Sequence, residues 1–299
     1  MKKLIIVTGL SGSGKSVAIR QLEDSGYYCI DNLPLPYLVQ VAQDLGKSQD
    51  CVAFAVDARS HVIDKDQPQQ IIRELKENGW DVRVLFLTAS TPELVQRFSE
   101  TRRRHPLTLR LLKDDPNISL NQVITAEREL LEPITLFANV LDTTNLQSNT
   151  LRTWVKNFAD APQADLTLTF ESFGYKHGIP IAADLVFDVR NLPNPYYDPA
   201  LRPFTGRDDP IIEFMNNQPM AVEMVDDIAN FINKWLPSYM ATNRQYLTIA
   251  IGCTGGQHRS VYVAEQLAKR FTQTFSSVGV RHRIIGQTKA PTKGMTQAA

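Results

Sequence analysis

The chain has 299 residues, of which 43% are hydrophobic, which is enough for two domains with separate cores. Its 32 basic residues equal its 32 acidic ones, which excludes a uniformly basic nucleic-acid-binding surface but not a local basic patch. Three scattered cysteines are too few for a disulfide framework or a zinc cluster, and no apolar run reaches the roughly 18 residues of a membrane helix. We therefore expect a cytoplasmic protein without a membrane partner.

Strands alternate with helices along the first half of the chain. Strands are predicted at 4–7, 27–30, 51–56, 82–87 and 140–142, and helices at 15–24, 37–44, 68–78, from 91 onward and at 121–137. Thr91 is the expected N-cap of the fourth helix, with Pro92 in its first turn. This alternation predicts an α/β P-loop domain with a mainly parallel sheet over residues 1–157.

The second half begins after a polar segment, 158–165, that contains one proline and is predicted to be a linker. Strands are then predicted at 166–170, 185–189, 247–251 and 280–285, and helices at 211–215, 222–236 and 260–271. This pattern predicts a second α/β domain over residues 166–286. Residues 287–299 are expected to form a flexible basic tail.

The stretch LIIVTGLSGSGKS, residues 4–16, predicts a phosphate loop between a buried strand and an amphipathic helix. Its glycines let successive N–H groups point at phosphate oxygens, and the positive end of the helix faces the same anion. Lys15 adds a charge near the β- and γ-phosphates, and Ser16 offers a hydroxyl to Mg²⁺. The predicted nucleotide-binding residues of this loop are Gly9, Leu10, Ser11, Gly12, Ser13, Gly14, Lys15 and Ser16.

A phosphate loop also needs a carboxylate at the end of a neighbouring apolar strand to hold Mg²⁺. Asp57 follows the strand CVAFAV, and Asp31 follows YYCI, where an acid in small-molecule kinases of this fold often meets the acceptor. The alternative for each is an acid that caps a strand or a helix. We predict Ser16 and Asp57 as metal ligands, and Lys15 and Asp57 as catalytic residues.

Arg102–Arg104 form a run of three cations that ends shortly before Pro106. One interpretation is a solvated face of a helix. The other is a lid that neutralises a transferring phosphoryl group. The sequence leaves both open.

A second glycine-rich stretch, GCTGGQHRS (252–260), also follows a buried strand and precedes a helix. Its N–H groups, the helix start and Arg259 predict another anion-binding loop. The spacing from Cys253 to Arg259 and Ser260 also matches the Cys-x5-Arg-Ser pattern of cysteine phosphatases, in which a thiolate attacks phosphorus. Gly252 stands where such enzymes usually have His. Phosphate binding, phosphatase chemistry and a structural turn therefore all stay open.

Two further features indicate binding surfaces. Polar groups concentrate in Gly- and Pro-rich loops at 171–180, 188–195 and 201–208, where His177 is either an acid–base group or a solvated side chain. From 266 to 299 the chain has no acid and carries a charge typical of contact with a nucleic-acid backbone, although many surfaces are basic without that role. Its basic residues are Lys269, Arg270, Arg281, Arg283, Lys289 and Lys293.

Six motifs together resemble the RapZ/YvcJ family of P-loop proteins, over roughly residues 2–285. They are GLSGSGKSVAIRQLED, YYCIDNLP, ESFGYKHGIP, VFDVRNLPNP, LRPFTGRD and GCTGGQHRSVYVAEQLA. The resemblance implies an N-terminal domain that binds and slowly hydrolyses ATP and GTP with Mg²⁺. It also implies that Asp57, Ala58, Arg59 and Ser60 form a guanine-nucleotide segment, in which Ala58 replaces the usual Val.

For the second half, the resemblance implies a C-terminal α/β domain with a sugar-phosphate kinase fold that senses glucosamine-6-phosphate. It also implies binding of small regulatory RNA, presentation of that RNA to a ribonuclease, and assembly into homo-oligomers. Tyr196 stands where enterobacterial members have His, and their dense basic cluster after the Arg281–Arg283 segment is sparse here. The implied metabolite-binding residues are Asp188, Cys253, Thr254, Gly255, Gly256, His258 and Arg259. The basic residues assigned to RNA are Lys269, Arg270, Arg281 and Arg283.

Two rival functions remain. A small-molecule kinase would use Asp31 and the Arg102–Arg104 lid for an acceptor. A cysteine phosphatase would use Cys253 as its nucleophile.

Overall fold

The computed structural model describes residues 2–57, 67–113, 115–161, 166–241 and 246–285, and the backbone of 288–292. The chain divides into two compact units, Met1–Ala159 and Asp160–Ala299. Each unit has its own sheet and its own apolar core.

The first unit is built on a five-stranded sheet in which every pairing is parallel. Its strands are β1 (Lys2–Gly9), β2 (Tyr28–Ile30), β3 (Cys51–Ala55), β4 (Trp80–Thr88) and β5 (Asn139–Asp142), in the order β2-β3-β1-β4-β5. The helices are α1 (Lys15–Asp24), α2 (Leu38–Leu45), α3 (Gln67–Glu77), α4 (Thr91–Thr101), α5 (Thr108–Leu111), α6 (Leu120–Thr135) and α7 (Ser148–Asp160). Because the strands are parallel, their carboxyl ends meet at one edge of the sheet.

Burial along these strands follows from helices that cover both faces of the sheet. All nine residues of β4 are buried, as are the last six of β1, so burial is continuous along these strands rather than alternating. The segment after β1 therefore starts from a fixed, fully packed strand.

The second unit contains another five-stranded sheet, in the order β10-β9-β6-β8-β7. Its strands are β6 (Thr167–Gly174), β7 (Leu185–Asp188), β8 (Tyr246–Cys253), β9 (Val278–His282) and β10 (Thr288–Thr292), and its helices are α8 (Asp209–Asn216), α9 (Pro219–Ala241) and α10 (Arg259–Phe271). All pairings are parallel except β9 with β10. The predicted α/β class with mainly parallel sheets is therefore confirmed in both units.

Helix α9 is 23 residues long and amphipathic. Ile228, Ile232 and Leu236 are buried in the core, whereas Phe231 and Trp235 are exposed. Neither α9 nor any other helix within the described ranges combines the length and the apolar character needed to cross a membrane.

Three local predictions differ from the structure. Residues 158–160, expected to begin the linker, belong to α7, because Phe158 and Ala159 are on its buried face. The N-cap of α4 is Ser90 rather than Thr91, since the Ser90 side chain accepts the N–H of Glu93. The predicted tail, 287–299, contains β10; residue 287 and residues 293–299, with Lys293, lie outside the described residues, and only the backbone of Lys289 is described.

Candidate functional site

The phosphate loop leaves the carboxyl end of β1 in a conformation that requires glycine. Gly9 has a φ of +126°, and a Cβ there would lie 2.0 Å from the carbonyl oxygen of Leu87. The N–H of Leu10 donates to that same oxygen at 3.0 Å. Gly12 and Gly14 also have positive φ values, +82° and +108°. The predicted glycine spacing therefore forms a tight loop that is tied to β4 and enters α1 at Lys15.

Lys15, predicted to contact the β- and γ-phosphates, lies against this loop. Its Nζ donates to the carbonyl oxygens of Gly9 at 2.6 Å and Leu10 at 3.1 Å. A phosphate oxygen carries a negative charge and is a stronger partner for an ammonium group than either carbonyl. Ser16, the second residue of α1, is exposed, whereas Ser13 is buried and its hydroxyl donates to Leu10 O at 2.6 Å. The loop thus presents a cation and a hydroxyl at one helix start.

Two residues that the sequence did not single out brace the loop. Arg97 of α4 donates to the carbonyl oxygens of Gly12 at 3.0 Å and Thr143 at 2.7 Å. The Thr143 hydroxyl donates to Ser13 O at 2.9 Å. Thr143 directly follows β5, so its position at the carboxyl edge was the available signal. Together they hold the outer half of the loop in place.

The two candidate carboxylates follow different strands: one follows the strand next to β1, and the other follows the edge strand. Asp57 is 8% exposed and follows β3, the direct neighbour of β1, and Val56 N–H donates to Val7 O at 2.9 Å. Asp31 is exposed and follows the edge strand β2. Ala58, Arg59 and Ser60 lie outside the described residues.

Carboxylate and hydroxyl oxygens are the ligands that Mg²⁺ prefers, so Asp57 and Ser16 fit this ion as a donor set. These two residues would hold the ion, and its charge would neutralise negative charge that develops during phosphoryl transfer.

Arg102–Arg104 follow α4, which ends where Arg102 adopts a φ of +53°. All three side chains are exposed. They make no hydrogen bond or ion pair to another residue that the structure describes. Both the solvated-face and the lid interpretations agree with this exposure.

The second glycine-rich loop, between β8 and α10, closes around a sulfur atom. Cys253 is 3% exposed; its Sγ accepts the N–H of Gly256 at 3.2 Å and lies 3.2 Å from Ser260 Oγ. A Cβ on Gly252 would lie 2.4 Å from the Phe173 ring, so no side chain fits there. A buried, engaged sulfur is poorly placed for attack on phosphorus.

Arg259 ties this loop to the chain that follows β7. It is 5% exposed, and its Nη1 donates to the carbonyl oxygens of Arg190 at 2.6 Å and Leu192 at 3.0 Å. Its Nη2 lies 3.5 Å from Thr254 Oγ1. The guanidinium therefore organises the site, and the exposed Thr254 and the half-buried Gly255 form its open side.

Asp188, at the end of β7, forms the rim of the same site with Arg190. Arg190 donates to both carboxylate oxygens at 2.6–3.0 Å, and this hydrogen bonding lowers the pKa of Asp188 despite partial desolvation. The Arg190 guanidinium stacks 4.0 Å over the Tyr175 ring. Burial, followed by the charge of Asp188, raises the pKa of Tyr175. The rim thus offers an anion and a cation side by side.

His258 is the other buried polar group of this loop. It is 6% exposed, burial lowers its pKa, and its Nε2 has no hydrogen-bond partner among the described residues. Gly206 N–H donates to Gln257 O at 2.8 Å, which packs the loop 201–208 against it. By contrast, His177 is exposed on a short 3₁₀ turn, and Tyr196 is 50% exposed under the guanidinium of Arg202.

The four basic residues assigned to RNA differ in their exposure and in their ion pairs. Arg281 is 7% exposed and makes a two-pronged ion pair with Glu171 at 2.6 and 3.0 Å. Its charge is paired inside the unit, and its role in RNA binding stays a prediction. Arg283 lies 4.0 Å from the same carboxylate. Lys269 and Arg270 are exposed at the end of α10, where Arg270 pairs with Asp226.

Comparison with known proteins identifies both units. Residues 2–162 match the RapZ-like N-terminal domain, and residues 166–286 match the RapZ C-terminal domain. A relative from Ralstonia nicotianae, named a nucleotide-binding protein, is 52% identical over 94% of this chain and 98% of its own. Another so named, from Paraburkholderia xenovorans, is 54% identical over 94% and 95%.

Among solved structures, an unliganded sugar kinase from Janibacter sp. HTCC2649 covers 54% of this chain and 95% of its own at 13% identity. Its TM-score is 0.39, which is too low to carry an argument. The family assignment rests on the two domain matches and on the relatives that are more than half identical. The chain therefore belongs to the RapZ family.

Proposed function

We propose that the first unit binds ATP and GTP with Mg²⁺ at the loop Gly9–Ser16 and hydrolyses them slowly. The observation that carries this proposal is the loop geometry, in which three positive-φ glycines present Lys15 and Ser16 at the start of α1. Asp57, buried at the neighbouring strand end, supplies the second oxygen ligand. The names of the relatives as nucleotide-binding proteins support the proposal.

Replacement of Lys15 tests this site. Lys15→Ala removes the charge that meets the β- and γ-phosphates, so we expect binding of ATP and GTP to be lost in titration calorimetry. Arg20→Ala is the matched control, because Arg20 is an exposed cation on the same helix. Unchanged affinity in Lys15→Ala would end the assignment.

We further propose that the second unit binds a phosphosugar of the glucosamine-6-phosphate class at residues 253–259. Arg259 and the start of α10 favour the phosphate. The exposed carboxylate of Asp188 suits the ammonium of an amino sugar. The protein then acts as a homo-oligomeric metabolite sensor that binds regulatory RNA and presents it to a ribonuclease. Lys269, Arg270 and Arg283 remain the candidate RNA contacts.

Binding of the full-length chain to glucosamine-6-phosphate and to structured RNA tests this proposal. The RNA affinity should fall steeply with salt if phosphate contacts dominate. Glucose-6-phosphate is the matched ligand, since it lacks the ammonium that Asp188 would bind. Equal affinity for both sugars would contradict the role of Asp188.

A small-molecule kinase is the second candidate, because Asp31 and Arg102–Arg104 are exposed in the phosphate-loop unit. Transfer of labelled phosphate from ATP to a sugar acceptor would support it. Turnover below about one per second with no acceptor product would favour the sensor, because kinases usually run at about 1–100 per second.

A further inference from the structure

A buried hydrogen-bonded cluster lies beneath the phosphate loop. Glu127 of α6 is 0% exposed, and its Oε2 accepts the N–H of Ser11 at 2.9 Å while its Oε1 accepts the Ser11 hydroxyl at 2.7 Å. His105, 2% exposed, places Nε2 at 3.0 Å from the same Oε2. A carboxylate inside a protein requires such donors, because an unpaired buried charge is costly.

The hydrogen bonds around His105 define its tautomer. Leu107 N–H donates to Nδ1 at 3.2 Å, so Nε2 carries the proton that is donated to Glu127. The Phe98 ring packs 5.1 Å from the imidazole. Both carboxylate oxygens of Glu127 and both ring nitrogens of His105 therefore have a hydrogen-bond partner.

This cluster changes the role expected of Ser11. In a phosphate loop the backbone N–H groups face the ligand. The Ser11 N–H instead faces Glu127, so it holds the shape of the loop rather than contacting phosphate. On its other side the cluster reaches the arginine run, since His105 directly follows Arg104. One carboxylate thus contacts the phosphate loop and the residue adjoining the exposed arginines.

We propose that Glu127 is a positioning residue of the nucleotide site, which holds Ser11 in the binding shape and couples occupancy of the loop to Arg102–Arg104. The proposal rests on the proposed nucleotide binding. A triphosphate that binds the loop also fixes Ser11, and with it Glu127 and His105, because breaking any of these buried hydrogen bonds leaves an unsatisfied donor. The arginine run is then held near the anion that it can neutralise.

The test follows two quantities in the full-length protein: the affinity for ATP, and trypsin cleavage at Arg102–Arg104 with and without saturating ATP. In the wild type, ATP should slow this cleavage. Glu127→Leu should weaken ATP binding about tenfold, the effect of leaving buried donors unpaired, and remove the protection even at saturation. Glu127→Gln keeps one side-chain oxygen that can accept the N–H groups of Ser11 and His105. This variant should therefore retain most of the ATP affinity and most of the protection from trypsin.

His105→Leu separates coupling from loop shape. It leaves the Ser11–Glu127 bonds intact, so ATP affinity should stay near that of the wild type while protection is lost. A purely structural role would not produce this split. Asp81→Leu is the matched control, because Asp81 is another buried carboxylate and accepts a hydrogen bond from Arg83 at 2.8 Å. It lies opposite Lys3 of β1 in the strand register. The substitution should lower the melting temperature without changing affinity or protection.

Two results would overturn the proposal: wild-type ATP affinity in Glu127→Leu, or protection that survives in both Glu127→Leu and His105→Leu. If Glu127→Leu does not fold, His105→Leu and Ser11→Ala carry the test through the same two readouts. A wild type that binds no ATP or GTP would be a different failure, that of the proposed function itself.

Discussion

The two glycine-rich loops share a strand–loop–helix order but differ in the hydrogen bonds that their inward-facing groups make. In the first, the cation Lys15 lies on carbonyl oxygens of its own loop. In the second, the sulfur of Cys253 takes the N–H of Gly256, and the guanidinium of Arg259 is bound to two carbonyls of another loop. Lys15 is held within its own loop, whereas Arg259 joins its loop to the chain that follows β7. The same local pattern therefore builds two loops whose cations are held in different ways.

The two loops also differ in which of their residues are exposed to solvent. Gly12 and Ser16 expose the first loop to solvent at the start of α1. The second loop has a buried interior, so its open side consists of Thr254 and the rim formed by Asp188 and Arg190. We therefore expect the first site to be most sensitive to substitution of its glycines, and the second site to be most sensitive to substitution of its side chains.

The largest expected effect comes from Gly9→Ala. Its Cβ would lie 2.0 Å from Leu87 O at a φ of +126°, so the free energy of unfolding should fall by about 3 kcal/mol or more and nucleotide binding should be lost. Gly255→Ala is the matched control in the other loop, because its Cβ would meet nothing within 4 Å. Urea unfolding of both variants checks this; equal losses would contradict the contrast between the loops.

Arg259→Lys should have the next largest effect. A lysine cannot reach the carbonyls of Arg190 and Leu192 with the same fork geometry, so the free energy of unfolding should fall by about 1–3 kcal/mol. Affinity for glucosamine-6-phosphate should fall, while affinity for ATP stays unchanged. Loss of ATP binding in this variant would show that the two loops do not act as separate sites.

A smaller effect concerns the pH dependence contributed by His258. Burial lowers its pKa, so the unfolded chain, with an ordinary pKa of about 6.5, takes up the proton more readily. The stability from this group is present above that pH and is lost as pH falls through the lower folded pKa. His258→Gln should flatten the decline in melting temperature between pH 7.5 and 5.5; an unchanged slope would exclude this role.

Cys253→Ser should have the smallest effect. The serine hydroxyl can accept the N–H of Gly256 in place of sulfur, so glucosamine-6-phosphate binding should persist. Wild type and variant should both fail to hydrolyse an aryl phosphate. Activity in the wild type that disappears in the variant would instead establish the phosphatase.

Features that depend on neighbours in the chain could be predicted from the sequence. The phosphate loop is an example, because glycine spacing after an apolar run specifies its backbone. Helix α7 was not predicted, and its last residues, 158–160, were assigned to a polar linker, because the packing of Phe158 is not visible in composition.

Features that depend on distant partners could not be predicted. Arg281 belongs to a basic sequence stretch, but its partner Glu171 is 110 residues away. Glu127 lies 116 residues from Ser11. One signal was present: Glu127 falls between Val123 and Leu131 on the apolar face of α6, where a carboxylate needs a buried partner.

The central claim is that the two loops bind different phosphate ligands at separate sites. Titration of the full-length wild type, Lys15→Ala and Arg259→Lys with Mg²⁺–ATP and with glucosamine-6-phosphate tests it most directly. We expect Lys15→Ala to lose only ATP and Arg259→Lys to weaken only the sugar phosphate. Retention of ATP binding by Lys15→Ala, or loss of both ligands in either folded variant, would contradict the claim.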